Sequence, residues 1–238
     1  SKFRISHIVD VAQNHNWKLL TSTADLCLTV TRSIESEQRK YNANAHNIGH
    51  GISIKRLSHF TIPGIDPENI KIGYIGNLTI KYLDWELIYT LAKENKSCKF
   101  YFGGPTTSSN LSQVQSRPEY LKKTIELPNT YFLGIIEPKD IASFLDQMDI
   151  LLLAYQAEHY RKEVANSHKI LEYLASGKVV LASWTEEYKN NKDLLEMVET
   201  SEEYIKRFTE IIQNISYYNH PDKQKNRISY AQFNTYSN

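Results

Sequence analysis

The 238-residue chain has little of what defines several protein classes. It has two cysteines, Cys27 and Cys98. That is too few for a disulfide framework and, by themselves, for a zinc site. They read as inert, partly buried thiols and point to a reducing compartment. Nine glycines and seven prolines exclude collagen-like and proline-rich architectures. Long apolar runs are missing as well. The most apolar stretch, Ile150-Leu151-Leu152-Leu153-Ala154-Tyr155, is far shorter than the roughly 20 residues a bilayer requires. It reads as a buried strand, and nothing has the pattern of a signal peptide. Net charge is nearly absent: 28 Lys+Arg against 27 Asp+Glu leave +1. This argues against a polyanion-binding surface, and no basic stripe suggests nucleic acid. His, Cys and Asp do not cluster at metal-ligand spacing, so no metal is expected.

What is present is ordinary globular composition, 41% hydrophobic and 23% charged. The length fits one large domain or one and a half. The run Ile62-Pro63-Gly64-Ile65-Asp66-Pro67 punctuates any regular element. It divides the chain into residues 1–62 and 63–238. In the first part the pattern predicts a helix over 5–20, a strand over 25–30, a charged helix over 33–41 capped by Ser33, and a strand over 45–52. Two strands cannot close a sheet, so this part reads as the tail of a domain whose start lies outside the chain. Both ends of the chain read as cut points, and the polypeptide as a fragment of a longer protein.

After the break, strands at 70–76, 98–102, 130–134, 149–154 and 179–183 alternate with helices at 84–95, 138–148 and 167–176, and a final amphipathic helix covers 202–216. Such alternation means βαβ units and a parallel sheet. The continuously apolar runs at 150–154 and 179–182 fit strands buried on both faces. The second part is therefore expected to be a doubly wound, Rossmann-like α/β domain. Its ligands should bind at the carboxyl ends of the strands.

The segment from Asn166 to Val180 carries the strongest local signal. Ser167 is placed to cap a short helix, and Gly177 to end it. The helix start would then offer backbone N–H groups to a diphosphate. Glu172, four residues after His168, would accept two ribose hydroxyls. On spacing alone, the same residues also serve as plain caps and a solvated glutamate.

The pattern Ser-x-Lys-x-x-Glu-Tyr-Leu-Ala-x-Gly-Lys-x-Val-Val, from Ser167 to Val180, resembles the signature of nucleotide-sugar-dependent glycosyltransferases of the GT-B fold, family 4 type. Five further segments agree in order. Ala24–Ser33 resembles the "ADLVITTS" strand, and Asn47–Ser53 the "IPNGVD" turn with His50 for Asn. Ile72–Leu78 resembles the first strand of the C-terminal domain, Asn129–Gly134 "NVHFLG", and Asp149–Tyr155 "ADVLLLP(Y/F)". The resemblance covers about residues 20–235.

It implies transfer of a sugar from a UDP- or GDP-linked donor to a glycan or lipid-linked acceptor, with retention at the anomeric carbon and no cofactor. The setting would be surface polysaccharide assembly, in the cytoplasm at the inner membrane face. It also implies site residues. Glu172 stands for the second glutamate of the Glu-x7-Glu motif, which holds the donor ribose. The first would fall at Val164, with Glu163 one position off and Glu158 further. The diphosphate clamp follows Gly76: the family's arginine is Asn77 here, and Lys81 sits one residue out of register. Arg161, Lys162 and Lys169 are alternative cations. Gly134–Pro138, with Ile136, resembles the loop that reads the nucleobase. His50 and His168 should border the cleft, while His15, His59 and His220 read as structural or surface. Two other readings fit the fold: a non-catalytic scaffold module, which Asn77 and Val164 would suit, and a nucleotide-sugar epimerase. A nicotinamide dehydrogenase is disfavoured, because Gly73-Tyr74-Ile75-Gly76 lacks the Gly-x-Gly-x-x-Gly pattern.

Overall fold

The computed structural model describes residues 2–9, 16–53, 59–106 and 119–236. It contains two parallel sheets. The smaller is built from β1 (Ile5–Ile8), β2 (Leu26–Thr29) and β3 (Ala45–Asn47), in that spatial order. Helices α1 (Trp17–Thr23) and α2 (Arg32–Gln38) connect them. Of the expected helix over 5–20, residues 5–8 form a strand and 17–20 lie in a short helix, while 10–15 lie outside the described residues; among the described residues the first part holds three strands rather than two. Pairing of Ile5–Ile8 with Leu26–Thr29 favours the extended form over local helical periodicity. The cap of α2 lies two residues before the expected one. Thr31, not Ser33, accepts from Ile34 N at 3.1 Å, because Thr31 has the extended backbone a cap needs and Ser33 is already helical.

The larger sheet runs β6-β5-β4-β7-β8-β9: β4 is Lys71–Ile75, β5 Lys99–Gly103, β6 Thr130–Phe132, β7 Ile150–Leu153, β8 Val179–Ser183 and β9 Glu196–Val198. All its pairings are parallel. The order reverses between β4 and β7, so the topological switch point lies there. The doubly wound α/β expectation holds. Strands β7 and β8 are buried along their whole length, as their unbroken apolar runs require.

Helix α3 (Trp85–Glu94) starts at Asp84, whose carboxylate accepts from Leu87 N at 3.0 Å, and buries Trp85, Leu87, Ile88 and Leu91. It packs on α4 (Glu119–Ile125) and on α7 (Ser201–Gln213). Helix α5 (Ile141–Asp146) follows a 3₁₀ turn at Pro138–Asp140. Helix α6 (Lys169–Ala175) is shorter than expected, and Gly177 ends it at φ +75°. Since strand order moves in opposite directions from β4, right-handed crossovers put α3 and α6 on opposite faces.

Sequence pattern missed α4, β9 and the chain's last two helices, α8 (Ile215–Tyr218) and α9 (Pro221–Phe233). The helix expected to be final, α7, is followed by both of them. Helix α9 packs on α6, and its anchor is Arg227, only 1% exposed. The guanidinium donates to the carbonyls of Leu194 (3.2 Å), Gly177 (3.0 Å) and Tyr218 (2.9 Å). Burial draws its pKa down to about 10, with Glu196 opposing, so it stays charged at neutral pH. Both cysteines are fully buried and free.

Replacing Arg227 by Met leaves these carbonyls without that donor, two of them in contacts that are fully buried. The expected loss is about 3 kcal/mol of stability, read as a lower urea midpoint at unchanged slope.

Candidate functional site

A cavity of about 580 Å³ opens at the switch point, within the usual size range of ligand sites. Several distant parts of the chain line it. Helix α5 contributes Ile141, Ala142, Leu145 and Asp146. The loop before α6 and its first turn contribute Asn166, Ser167, His168, Lys169 and Glu172. The segment His50–Ser53 and Tyr236 cover it.

Lys169 is the central feature. Burial pushes its ammonium below the ordinary lysine pKa, with Glu172 pulling the other way. Burial likewise pushes the Glu172 carboxyl up, opposed by Lys169. Both are half-buried and line the cavity, and each is the other's charge partner.

The lysine reaches the strand ends by passing over Gly76. A side chain there would begin on top of Lys169 Cε and lie 3.1 Å from both Lys169 Nζ and Tyr74 Oη. Gly76 also has φ +149°, which other residues avoid. The surrounding backbone is tightly held. Gly76 N donates to Gly103 O at 2.9 Å, and Gly104 N donates to Gly134 O at 2.6 Å. From α6, one turn after Lys169, the Tyr173 hydroxyl accepts from Ile75 N at 3.0 Å. Helix α6 and the tip of β4 are therefore locked together, with the ammonium at their junction.

Beneath lies a group of hydroxyls. Tyr74 is fully buried, and its Oη lies against Tyr155 without a well-formed hydrogen bond. Tyr155 is buried beside it. Ser167 does not cap the helix with its side chain as expected: His168 holds the cap position, with no side-chain bond to the helix. The first turn is closed instead by Ile170 N donating to Ser167 O at 3.0 Å.

His168 meets the ring of His50 edge-on at 6.1 Å between centroids. Burial, then Lys169, then His50 lower its pKa to about 4, so it is neutral at physiological pH. His50 Nε2 lies 3.2 Å from Asn166 O, and Asn166 Nδ2 donates to Val30 O at 2.6 Å. A third link joins Arg32 N to the Glu187 carboxylate at 2.7 Å. These contacts tie the first part of the chain to the loop that precedes α6 and to the turn after β8.

The other sequence candidates sit around this centre. Asn77 accepts from Thr79 N (2.9 Å) and Thr79 Oγ1 (2.8 Å), stapling its own loop. Ile136 packs over Gly103, beneath the loop after β6. Lys81 turns to Glu163 (3.7 Å) and lies over the Tyr160 ring (4.9 Å). Arg161 stacks on Trp184 at 4.0 Å and pairs with Glu199 at 2.9 Å. Val164 is 1% exposed and part of the core, so that position offers nothing polar to the cavity. Among the described residues no group of three or more His, Cys, Asp or Glu could hold a metal ion. No helix among them is long and apolar enough to cross a membrane. His15 lies outside the described residues.

Sequence reasoning missed Tyr82, Asp146 and Tyr236 as cavity residues. Tyr236 arrives because Ile52 pairs with Thr235: Ile52 N donates to Asn234 O (3.1 Å) and Tyr236 N to Ile52 O (3.2 Å). No local pattern marks so distant a pairing.

No protein-family model matches the chain. Among curated proteins it is 28% identical over 116 residues to TuaH of Bacillus subtilis, described as a glycosyltransferase assigned to teichuronic acid biosynthesis. The match covers 49% of this chain and 27% of TuaH. Solved structures match far more of it. Sucrose-phosphate synthase of Thermosynechococcus elongatus aligns over 94% of this chain and 60% of its own, at TM-score 0.73 and 11% identity. Anabaena HepE, in complex with UDP and glucose, aligns over 97% and 67%, at TM-score 0.72 and 16% identity. WaaG, a glycosyltransferase involved in lipopolysaccharide biosynthesis, aligns over 87% and 58%, at 0.62 and 15%. The fold is that of the GT-B glycosyltransferases, and the chain spans about a quarter of the length of its curated relative.

The histidine sets a pH response. With the folded pKa at about 4 and the ordinary value at 6.5, the unfolded chain takes up a proton before the folded one does. The contribution of His168 to stability is therefore complete above 6.5 and is lost as pH falls from 6.5 to 4. Thermal melts across that window should fall more steeply for the parent protein than for His168→Gln. Parallel curves would remove the role.

Proposed function

We propose that this chain carries the donor half of a glycosyltransferase that moves a sugar from a nucleotide diphosphate to a glycan or lipid-linked acceptor. The observation that carries the reading is the half-buried Lys169 ammonium laid across Gly76, with Glu172 as its charge partner. A half-buried amine with so little compensation favours an anionic ligand. A diphosphate there would be stabilised as it leaves, when charge builds on its oxygens. Glu172 then accepts ribose hydroxyls, and the base lies toward Ile136 and the start of α5. Asn77 follows Gly76 beside the diphosphate, while Ser167 and His168 form the rim on the α6 side.

Residues 1–62 serve on the acceptor side and residues 63–238 bind the donor. The relatives assigned to teichuronic acid and lipopolysaccharide synthesis support a role in surface polysaccharide assembly. That setting is cytoplasmic, at the inner membrane face, with retention of the sugar's configuration. HepE crystallised with UDP and glucose supports a UDP-linked donor over a GDP-linked one. One observation favours a non-catalytic module instead: Val164 is built into the core where the family's first glutamate would stand.

Calorimetry with UDP, GDP and ADP tests the reading. Binding in the micromolar range is expected, weakened about tenfold or more by Lys169→Met and by Glu172→Ala. Gly76→Val should weaken it as strongly, by displacing the lysine. Unchanged affinity in Glu172→Ala would remove the ribose role. Failure of all three nucleotides to bind would sink the donor reading.

A further inference from the structure

Tyr74, Tyr173 and Tyr204 are fully buried in the core of the larger sheet. Two of these side chains use their hydroxyls on the backbone. Tyr173 Oη accepts from Ile75 N at 3.0 Å, and Tyr204 Oη donates to Leu181 O at 2.8 Å. Tyr74 is the exception: its hydroxyl is out of reach of water and makes no well-formed hydrogen bond. Such a group has given up its hydration for nothing, and a phenylalanine would fill the same space without that cost. Among the described residues Thr21 and Gln38 share the condition, but neither lines the cavity.

What Tyr74 has beside it is Lys169. The point where a side chain on Gly76 would begin lies 3.1 Å from Tyr74 Oη and 3.1 Å from Lys169 Nζ. Hydroxyl and ammonium therefore border the same small space, the one Gly76 leaves open. Lys169 lines the cavity and Tyr74 does not, so the hydroxyl stands on the protein side of the ammonium. An ammonium has several donors and a hydroxyl oxygen accepts, so rotation about the last bonds of the lysine can pair the two while other donors stay turned to the cavity. The charge partner of Lys169 is Glu172. Once that carboxylate accepts ribose hydroxyls, the lysine needs another acceptor at its back.

We infer that Tyr74 is a positioning residue, whose unpaired hydroxyl accepts from the Lys169 ammonium when a nucleoside diphosphate is bound and turns the remaining N–H groups toward the anion. The hydroxyl touches no ligand and acts only through Lys169. An unpaired buried group is a standing cost to the fold, and here the cost is set against a better-aimed cation. This rests on the reading of Lys169 as the group that meets the diphosphate.

The test uses the whole chain with Tyr74→Phe, Lys169→Met and the two combined, and calorimetry with UDP and GDP. Tyr74→Phe should bind the diphosphate about fivefold more weakly. In the Lys169→Met background the same change should alter affinity by less than about twofold, since the lysine through which it acts is gone. Urea unfolding supplies the opposite sign: Tyr74→Phe should unfold at the same urea concentration as the parent or a higher one. A lower midpoint would make the hydroxyl a support of the fold and overturn the inference. An undiminished effect in the Lys169→Met background would overturn it as well. Affinity unchanged by Tyr74→Phe overturns it too, and leaves the donor reading standing. Failure of the parent chain to bind either diphosphate removes the donor reading, and this inference with it.

Discussion

A half-buried ammonium on the cavity wall, with a carboxylate one turn on, is the constraint around which the site is arranged. Burial acts against both charges, and their mutual attraction returns only part of the cost. The arrangement persists because the backbone around it has little freedom. Tyr173 pins the end of β4, Gly103 holds Gly76, and the missing side chain at Gly76 is the space the lysine occupies. A site preorganised in this way spends little on reorganisation when an anion arrives.

The walls come from segments far apart in the chain. The first part of the chain reaches the α6 loop through Asn166 and His50 and the turn after β8 through Glu187, while α9 returns the chain end to Ile52. Arg227 secures that return by donating to three carbonyls, one of them the Gly177 carbonyl at the end of α6. The same short helix is thus fixed at its start by the first part of the chain and at its end by α9. A change at either contact is transmitted to Lys169 through a rigid seven-residue element.

Much of the larger sheet was legible because its signals are local. Apolar runs of strand length, Asp84 before an apolar helical stripe, and Gly177 after one each have a mechanism that acts within a few residues. The errors have equally plain causes. Residues 5–8 read as helix because their neighbours suggested it, yet pairing with β2 decided otherwise. Ser167 looked like a cap by type, but its carbonyl closes the first turn by accepting from Ile170 N and His168 takes the cap position. Lys81 has the right charge near the right strand, and Glu163 with the Tyr160 ring draws it aside.

The amino-acid order alone determined that this chain makes a parallel α/β sheet and that its chemistry gathers near Lys169 and Glu172, since periodicity, caps and short motifs are properties of neighbouring residues. Tertiary structure alone decided which charge would be buried, which hydroxyl would be tied up and which aromatic rings would share a corner. Those outcomes depend on contacts between residues many tens of positions apart, where desolvation and packing outweigh local preference.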